Sequence, residues 1–342
     1  NKALKIMTSY LSGRYQYVKI RNSYSTPKSV MMGVPQGSIL GPLLFLLYIN
    51  DLPNISPNMI CLSYANDTAI IFKNKNMCDL QNTLNTHLLQ ISDWFHANFL
   101  SLNVSKTYTQ HYTTRSMTFK LDVILCDKHI EESEHIKYLG IFVDKSLKFS
   151  KHIDYISNIV SRNIGIIARA RYYLDKRATL LLYNSLILPY LNYCCIIWGN
   201  NYESQLYKLF ILQKRAVRLI EYVYPPVSSQ PIFKQYNLLK LRDIAKSQML
   251  LVMHKFLTKQ LPKTFNDMFQ LQDRVASNTR QIQHLIQPFS NRNYRLFTSC
   301  CLGPKLWNEI MASQFTSLNE IPASKSIIKN IIRKHFIATY DL

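Results

Sequence analysis

The stretch ICLSYANDTAIIF, residues 60–72, decides how the rest of the chain is read. Two apolar runs, Ile60-Cys61-Leu62 and Ala69-Ile70-Ile71-Phe72, bracket the polar Ala65-Asn66-Asp67. That order predicts a strand, a tight turn and a second strand. A turn at the end of a hairpin holds its side chains still, and fixed carboxylates are what a divalent cation needs. Asp67 is a carboxylate and Asn66 is an amide. The turn therefore reads either as a metal site short of one ligand or as an ordinary Asn-Asp turn.

Outward from the hairpin, Tyr10 to about Phe149 has a mixed pattern. Tyr15–Ile20 and Ser29–Val34 alternate as a hairpin around the polar Arg21–Lys28, and Pro42–Asp51 reads as a short apolar helix. Asp79–Asn98 places Leu80, Leu84, His87, Leu88, Ile91, Trp94 and Phe95 on one helical face. Strands are expected at Thr107–Tyr112, Thr118–Leu125 and Ile136–Val143. This half is expected to be α+β with an antiparallel sheet.

After Phe149 the period changes to that of helices. Ile153, Ile156, Val160, Ile164 and Ile167 step by three and four along a long helix, with Arg162, Arg169 and Lys176 along one side. Tyr202–Tyr222 repeats the arrangement, with Leu206, Leu209, Phe210, Val217 and Ile220 inside and Lys208, Lys214, Arg215 and Arg218 outside. Such stripes suit a phosphate backbone; a solvated polar face has the same pattern. Pro225, Pro226 and Pro231 suggest a boundary, residues 232–261 read as helix, Gln270–Arg295 as exposed loop, and Ser324–Phe336 as an amphipathic helix. In that last helix Ile327, Ile328, Ile331 and Ile332 oppose Lys325, Lys329 and Arg333.

Composition narrows the partners. With 41 Lys and Arg against 20 Asp and Glu, the formal charge of +21 favours a polyanion, nucleic acid first and an anionic membrane surface second. A hydrophobic fraction of 47% over 342 residues is enough for real cores. Seven Cys, with pairs at Cys194-Cys195 and Cys300-Cys301 and no C-x-x-C, point to reduced thiols in an intracellular protein, nuclear or cytoplasmic. His129, His135, Glu131, Glu132 and Glu134 cluster, yet their spacing fits a solvated hairpin turn and no known zinc site. Ala178–Asn200 carries no charge, but Asn184, Ser185, Pro189 and Asn192 interrupt it, which predicts a buried helix broken at Pro189 and no membrane span. No signal peptide is visible and Asn1 opens the chain, so a piece of something longer is expected.

Residues 33–53, GVPQGSILGPLLFLLYINDLP, set Gly33, Gly37 and Gly41 among Pro35 and Pro42 and run straight into an apolar helix. Backbone of this kind can approach a flat or phosphorylated ligand closely; on its own the stretch reads as a structural turn at least as readily. In order along the chain follow YAND at 64–67, LSLNVSKT at 100–107 and IKYLGIFVD at 136–144. Further on come HIDYISNIV, LYNSLILPYLNYCCIIWG, LQKRAVRLI and LGPKLWNEI. Together this series resembles the reverse transcriptase of non-LTR retrotransposons, LINE-type elements of the jockey-like kind, and the stretches that follow their polymerase.

The resemblance implies a partial right-hand polymerase palm over residues 1–149, an all-α thumb-like region over 150–224 and a helical carboxy-terminal region over 225–342. It implies RNA-directed DNA synthesis, in which a primer 3′-hydroxyl attacks the α-phosphorus of a deoxynucleotide between two Mg²⁺ ions about 3.5–4 Å apart. Three aspartates normally hold those ions, two of them side by side in a Tyr-Ala-Asp-Asp or Phe-Ala-Asp-Asp turn. Asp67 matches the second of that pair and Asn66 stands where the first is expected. The third belongs to an upstream strand, and the eight residues before Ser9 contain no acid. An amide adds no charge to offset two divalent cations. The chain is therefore expected to be inactive as it stands, its alternatives being a non-catalytic nucleic-acid-binding remnant or a decayed element copy.

By the same resemblance Gly33, Pro35, Gln36 and Gly37, with Tyr64 and Ala65, would contact nucleotide and template. Lys106 would protonate departing pyrophosphate, although a surface lysine after a helix is also routine. Tyr138, Leu139 and Gly140 would grip the primer end, and Arg162, Arg169, Lys176, Lys214, Arg215 and Arg218 would track the nucleic-acid backbone. The implied partners are an RNA template, a DNA primer, deoxynucleotides, a missing upstream polymerase segment and an endonuclease domain elsewhere in the element product.

Overall fold

Short strands and long helices divide the chain unevenly. A computed structural model describes residues 2–35, 37–113, 121–271, 285–290, 293–311, 314–315 and 320–341. Two compact units emerge, Asn1–Gly140 and Ile141–Leu342.

The first unit opens with helix α1, Lys2–Leu11, whose Leu4 and Ile6 are exposed. The expected hairpin forms as two nested antiparallel pairs: β1, Arg14–Gln16, with β4, Lys28–Val30, and inside them β2, Lys19–Ile20, with β3, Ser23–Tyr24. Helix α2, Gly41–Tyr48, starts with Pro42 in its first turn, where the missing N–H costs nothing. It stops three residues short of the expected Asp51, giving way to a 3-10 turn at Leu52–Ile55.

Strands β5, Ile60–Tyr64, and β6, Asp67–Ile71, pair antiparallel from Ile60 opposite Ile71 to Tyr64 opposite Asp67. That register leaves a loop of two residues, Ala65 and Asn66. Asp67 is thus the first residue of the returning strand, one position beyond the turn in which the sequence pattern places it. Helix α3, Met77–Ala97, is capped by Asn76, whose side chain accepts from the Cys78 N–H at 3.0 Å. Its Leu84 and Leu88 pack on a small core of Val123, Leu125 and Ile130. Polar residues on the same helix continue the seam: Gln81 Oε1 accepts from Asp122 N at 3.0 Å and Asn85 Oδ1 from Ile124 N at 3.1 Å.

Among the described residues three expected strands come out shorter. Thr107–Tyr112 is extended with only an isolated parallel bridge, Thr109 to Glu132. Of Thr118–Leu125, residues 118–120 lie outside the described residues and β7 is Ile124–Leu125, paired with β8, Lys128–His129. Ile136–Val143 splits into β9, His135–Tyr138, and β10, Ile141–Asp144, because Leu139 and Gly140 turn the backbone into positive φ. The described strands make two-stranded pairs where a single antiparallel sheet was expected.

The second unit is helical after β10. Helix α4, Ser150–Ala170, buries Ile153, Ile156, Val160, Ile164 and Ile167, every member of the predicted stripe. The chargeless segment folds as α5, Lys176–Leu186, α6, Leu188–Asn192, and α7, Cys195–Trp198. Its break falls at Ile187, just ahead of Pro189, whose ring cannot continue α5. Tyr183, Ile187, Leu191 and Cys195, each four residues from the last, are all buried. Among the described residues no helix is long and apolar enough to cross a membrane.

Helix α8, Glu203–Ile220, lies against α4, and α9, Gln230–Gln235, is separated from α10, Leu241–Leu257, by Tyr236–Lys240. Residues 232–261, expected to be helical, hold most of these two helices. Then follow α11, Asn293–Leu296, α12, Ser299–Leu306, and α13, Lys325–Ala338. In α13 Ile328 and Ile332 are buried, whereas Ile327, expected with them, is exposed. Two apolar clusters form: one holds Ile164, Trp198, Leu209, Ile244 and Ala245, the other Met249, Leu250, Trp307, Ile328 and Phe336. The seven cysteines are unbonded, and burial, with Cys194 beside it, pushes the Cys195 thiol up to about 12.

Candidate functional site

The β5–β6 tip is the natural place to begin, because its two-residue loop sets the backbone positions of three neighbouring polar residues. Ala65 adopts φ of 50°, a left-handed conformation that residues with a Cβ seldom accept. Such a residue persists only where the pairing on both sides holds it, here Tyr64 against Asp67. Tyr64, Asn66 and Asp67 are all exposed, and no hydrogen bond or ion pair engages the Asp67 carboxylate among the described residues.

Whether this tip suits Mg²⁺ turns on its donors. A pair of divalent cations needs several anionic oxygens around it. The tip supplies one carboxylate, Asp67, and one neutral amide, Asn66. Among the described residues no group of three or more His, Cys, Asp and Glu side chains is arranged to hold a metal ion. The donor set at the tip does not fit a two-metal centre. At the other cluster raised by the sequence, His129 Nδ1 lies 2.7 Å from Asp122 Oδ1.

The glycine-rich loop is built by backbone conformation. Gly33 and Gly37 have φ of 77° and 81°, and a Cβ added to either would meet no atom within 4 Å. It is the left-handed turn that requires glycine there. Two side chains anchor the loop from outside: Arg14 Nη2 donates to the Gly33 carbonyl at 2.5 Å, and the Tyr10 hydroxyl to Ser38 Oγ at 2.5 Å. Ser38 Oγ in turn accepts from the Gly41 N–H at 3.0 Å, at the start of α2. Pro35 accepts from Ser38 N at 3.3 Å; Gln36 lies outside the described residues. No spacing rule marks Tyr10 or Arg14 in the sequence, because their contacts join positions 28 and 19 residues apart.

Lys106 ends a 3-10 turn, Val104–Lys106, and is exposed. Asn103 shapes that turn: its carbonyl accepts from Lys106 N at 3.1 Å and from Thr107 Oγ1 at 2.9 Å, and its Oδ1 from Ser105 Oγ at 2.8 Å. No hydrogen bond or ion pair joins Lys106 to Asp67 among the described residues. Tyr138 and Leu139 are half-buried and Gly140 exposed, with Leu139 at φ of 45° and Gly140 at 83°.

The basic helices sort their cations. Arg162 and Arg169 project from α4 into solvent, and Arg215 from α8, with no carboxylate paired to them among the described residues. Because α4 ends at Ala170, Lys176 does not continue its stripe. It stands at the start of α5, with Nζ 2.5 Å from Glu221 Oε2. The hydrogen bond from Lys176, then that from Tyr236, holds the Glu221 carboxyl below its ordinary value. Lys214 lies 4.6 Å over the Phe210 ring, Arg218 Nε donates to the Val227 carbonyl at 2.7 Å, and Lys208 pairs with Asp154 at 2.9 Å.

Comparison with known proteins bears on both units. The reverse transcriptase (RNA-dependent DNA polymerase) family matches residues 2–143. The chain is 29% identical over 235 residues to the probable RNA-directed DNA polymerase from transposon BS of Drosophila melanogaster, covering 63% of this chain and 25% of that protein. It is 28% identical over 225 residues to the probable RNA-directed DNA polymerase from transposon X-element of the same species, 63% of this chain and 24% of the relative. Against the RNA-directed DNA polymerase from mobile element jockey, also of Drosophila melanogaster, it is 28% identical over 228 residues, with coverage of 63% and 24%. The chain thus spans about a quarter of the length of the curated relatives it matches. No solved structure matches it.

Proposed function

Starting from a chain that carries, over residues 2–143, a reverse transcriptase domain of the non-LTR retrotransposon kind, we propose that it is part of an RNA-directed DNA polymerase that binds template and primer but does not itself extend them. In this reading residues 1–149 are palm, 150–224 a thumb-like region and 225–342 a helical carboxy-terminal region. Gly33, Pro35, Gln36 and Gly37 would contact nucleotide and template, as would Tyr64 and Ala65. Tyr138, Leu139 and Gly140 would hold the primer end, and Lys106 would protonate the departing pyrophosphate.

The observation that carries the inactivity is the donor set at the β5–β6 tip, one carboxylate and one amide. Two Mg²⁺ held as neighbours repel one another, and that repulsion is offset only by several fixed negative charges. A polypeptide segment bearing a further aspartate, from a longer element product, is the partner this reading requires. The hairpin side chains Leu62, Tyr64 and Ile71, all exposed, support such a partner, because an apolar strand face left in water gains when a neighbour covers it.

Primer extension on an RNA template with Mg²⁺ tests the catalytic half. Neither the chain nor its Asn66→Asp variant is expected to yield product, since the variant still lacks the further aspartate. Deoxynucleotide incorporation by the unaltered chain would overturn the reading. The binding half rests on Arg162, Arg169 and Arg215, whose charges no carboxylate offsets among the described residues. Duplex affinity measured at two salt concentrations should fall steeply as salt rises; an affinity indifferent to salt would exclude phosphate tracking. A non-catalytic nucleic-acid-binding remnant is the second reading, favoured if duplex binding proves strong while the Asn66→Asp variant stays blank even when a polypeptide segment bearing the further aspartate is supplied.

A further inference from the structure

The stretch RARYYLDKR, residues 169–177, carries Arg169, Arg171, Lys176 and Arg177 against the single acid Asp175. It turns the chain from α4 into α5 through a 3-10 turn, Arg171–Tyr173, and Asp175 caps α5 by accepting from Ala178 N at 2.7 Å. The turn inverts the usual order of burial. Arg171 is 4% exposed, whereas Tyr172 and Tyr173 beside it are 75% and 91% exposed.

The buried cation is enclosed by aromatic rings. Its guanidinium carbon lies 5.3 Å from the Tyr172 ring centre, 5.7 Å from that of Tyr222 and 4.8 Å from that of Tyr224. Arg171 Nη2 donates to the Tyr224 hydroxyl, while Nε and Nη1 are buried with no hydrogen-bond partner. The corner is fastened to the end of α8 twice, by the Tyr222 hydroxyl donating to the Leu174 carbonyl and by Lys176 on Glu221. The Tyr172 ring, with those of Tyr222 and Tyr224, is therefore held by a fixed positive charge, while Tyr173 is exposed next to it in the chain and Arg169 and Arg177 are exposed on either side of the turn.

A tyrosine with 91% of its surface in water adds nothing to the core, and an acidic protein surface would be met by the cations without it. Rings presented among unpaired cations suit a different ligand: the π-faces of unstacked bases, with the cations on the phosphates between them. A duplex offers no such faces, because its bases are already stacked on one another. We propose that the Tyr172-Tyr173 corner, braced by Arg171, binds unpaired bases of a single strand, RNA or DNA. This rests on the proposed nucleic-acid binding by α4 and α8 and adds to it a contact selective for single strands.

The test uses the full chain, a fluorescently labelled single-stranded oligoribonucleotide and a blunt duplex of the same sequence, titrated at two salt concentrations. Tyr173 is almost wholly exposed, so Tyr173→Ala leaves the fold intact and Tyr173→Phe restores the ring. Tyr173→Ala should weaken single-strand binding by about ten-fold, the worth of one stacked base. Duplex binding and both salt slopes should stay within about two-fold of the parent, and Tyr173→Phe should bind as the parent does. Unchanged single-strand affinity in Tyr173→Ala, beside salt-dependent duplex binding, would overturn this inference and leave the phosphate-tracking reading standing. An equal loss on both nucleic acids, or a polyglutamate peptide held as tightly as the single strand by parent and variant alike, would also overturn it. If the parent bound neither nucleic acid, the two readings would fall together.

Discussion

Gly165→Ala and Gly199→Ala add the same methyl group, and their surroundings assign the two changes opposite signs. Gly165 lies inside α4, where a Cβ would meet no atom within 4 Å. Alanine there removes the entropy that glycine loses in a helix and should stabilise by about 0.5–1 kcal/mol. Gly199 follows α7 with φ of −82° and ψ of −12°, a conformation alanine also accepts, so the backbone raises no objection. Space does: its Cβ would stand 2.6 Å from the Cys195 carbonyl oxygen and 2.9 Å from the Ala245 Cβ. The oxygen already accepts the Gly199 N–H at 2.7 Å and cannot swing aside without opening α7, and Ala245 is wholly buried on α10. Overpacking of this kind costs about 1–3 kcal/mol, against an entropic gain of about 0.4–1 kcal/mol, leaving a net loss of up to about 2.6 kcal/mol. Urea unfolding followed by circular dichroism measures both variants on one scale, the midpoint reporting stability and the slope reporting whether the unfolded state has changed. If Gly199→Ala unfolded at or above the parent midpoint, or moved with Gly165→Ala in the same direction, the packing argument for the α7–α10 contact would be refuted.

Two further outcomes concern the start of the second unit. His152 sits edge-on to Trp198, with ring centres 5.5 Å apart, and burial holds its imidazole down at about 4. The unfolded chain takes up that proton near 6.5, so the contribution is whole above about pH 6.5 and is lost as pH falls toward 4, by at most about 3 kcal/mol. Comparing urea midpoints of the parent and His152→Phe at pH 7 and pH 5 checks this; equal pH dependence in the two proteins would count against it. At Asp144 burial pushes the carboxyl up, but the Ser146 hydroxyl at 2.6 Å and the Lys148 N–H at 3.0 Å, both on Oδ1, help bring it below its ordinary value. Its stabilisation is present above the ordinary carboxylate pKa and fades as pH falls through the lowered one. Asp144→Ala should cost about 1–3 kcal/mol in denaturant unfolding and Asp144→Asn, which keeps an acceptor, clearly less; equal losses would show that the turn does not depend on these bonds.

What the sequence disclosed follows from the range of the interactions. The stripes Ile153 to Ile167 on α4 and Leu206 to Ile220 on α8 repeat within a turn or two, and the structure buries the apolar side of each, Phe210 only halfway. A periodic pattern also marked Ile327, yet a period says which residues share a face and not how wide the buried part of it is; this isoleucine lies at its margin. Thr107–Tyr112 has the residues of a strand but only an isolated bridge, and strand preference without neighbours to pack on is weak. Around the candidate site the ordered motifs were legible, whereas the one-residue displacement of Asp67 was not, because register is set by pairing across the hairpin. Tyr10 on Ser38, Arg14 on Gly33 and the burial of Arg171 all depend on residues distant in sequence, and such contacts leave no local trace.

Within Ile141–Leu342 the helix α10 lends Leu241, Ile244 and Ala245 to one apolar cluster and Met249, Leu250 and Met253 to the other. Helix α13 does likewise, with Ile337 on the first side and Ile328, Ile332 and Phe336 on the second. Neither cluster can melt without stripping a wall from its neighbour. Heating should therefore take this whole stretch apart in one sharp transition, and a protease that nicks α10 should release the entire helical assembly to digestion instead of leaving a resistant half.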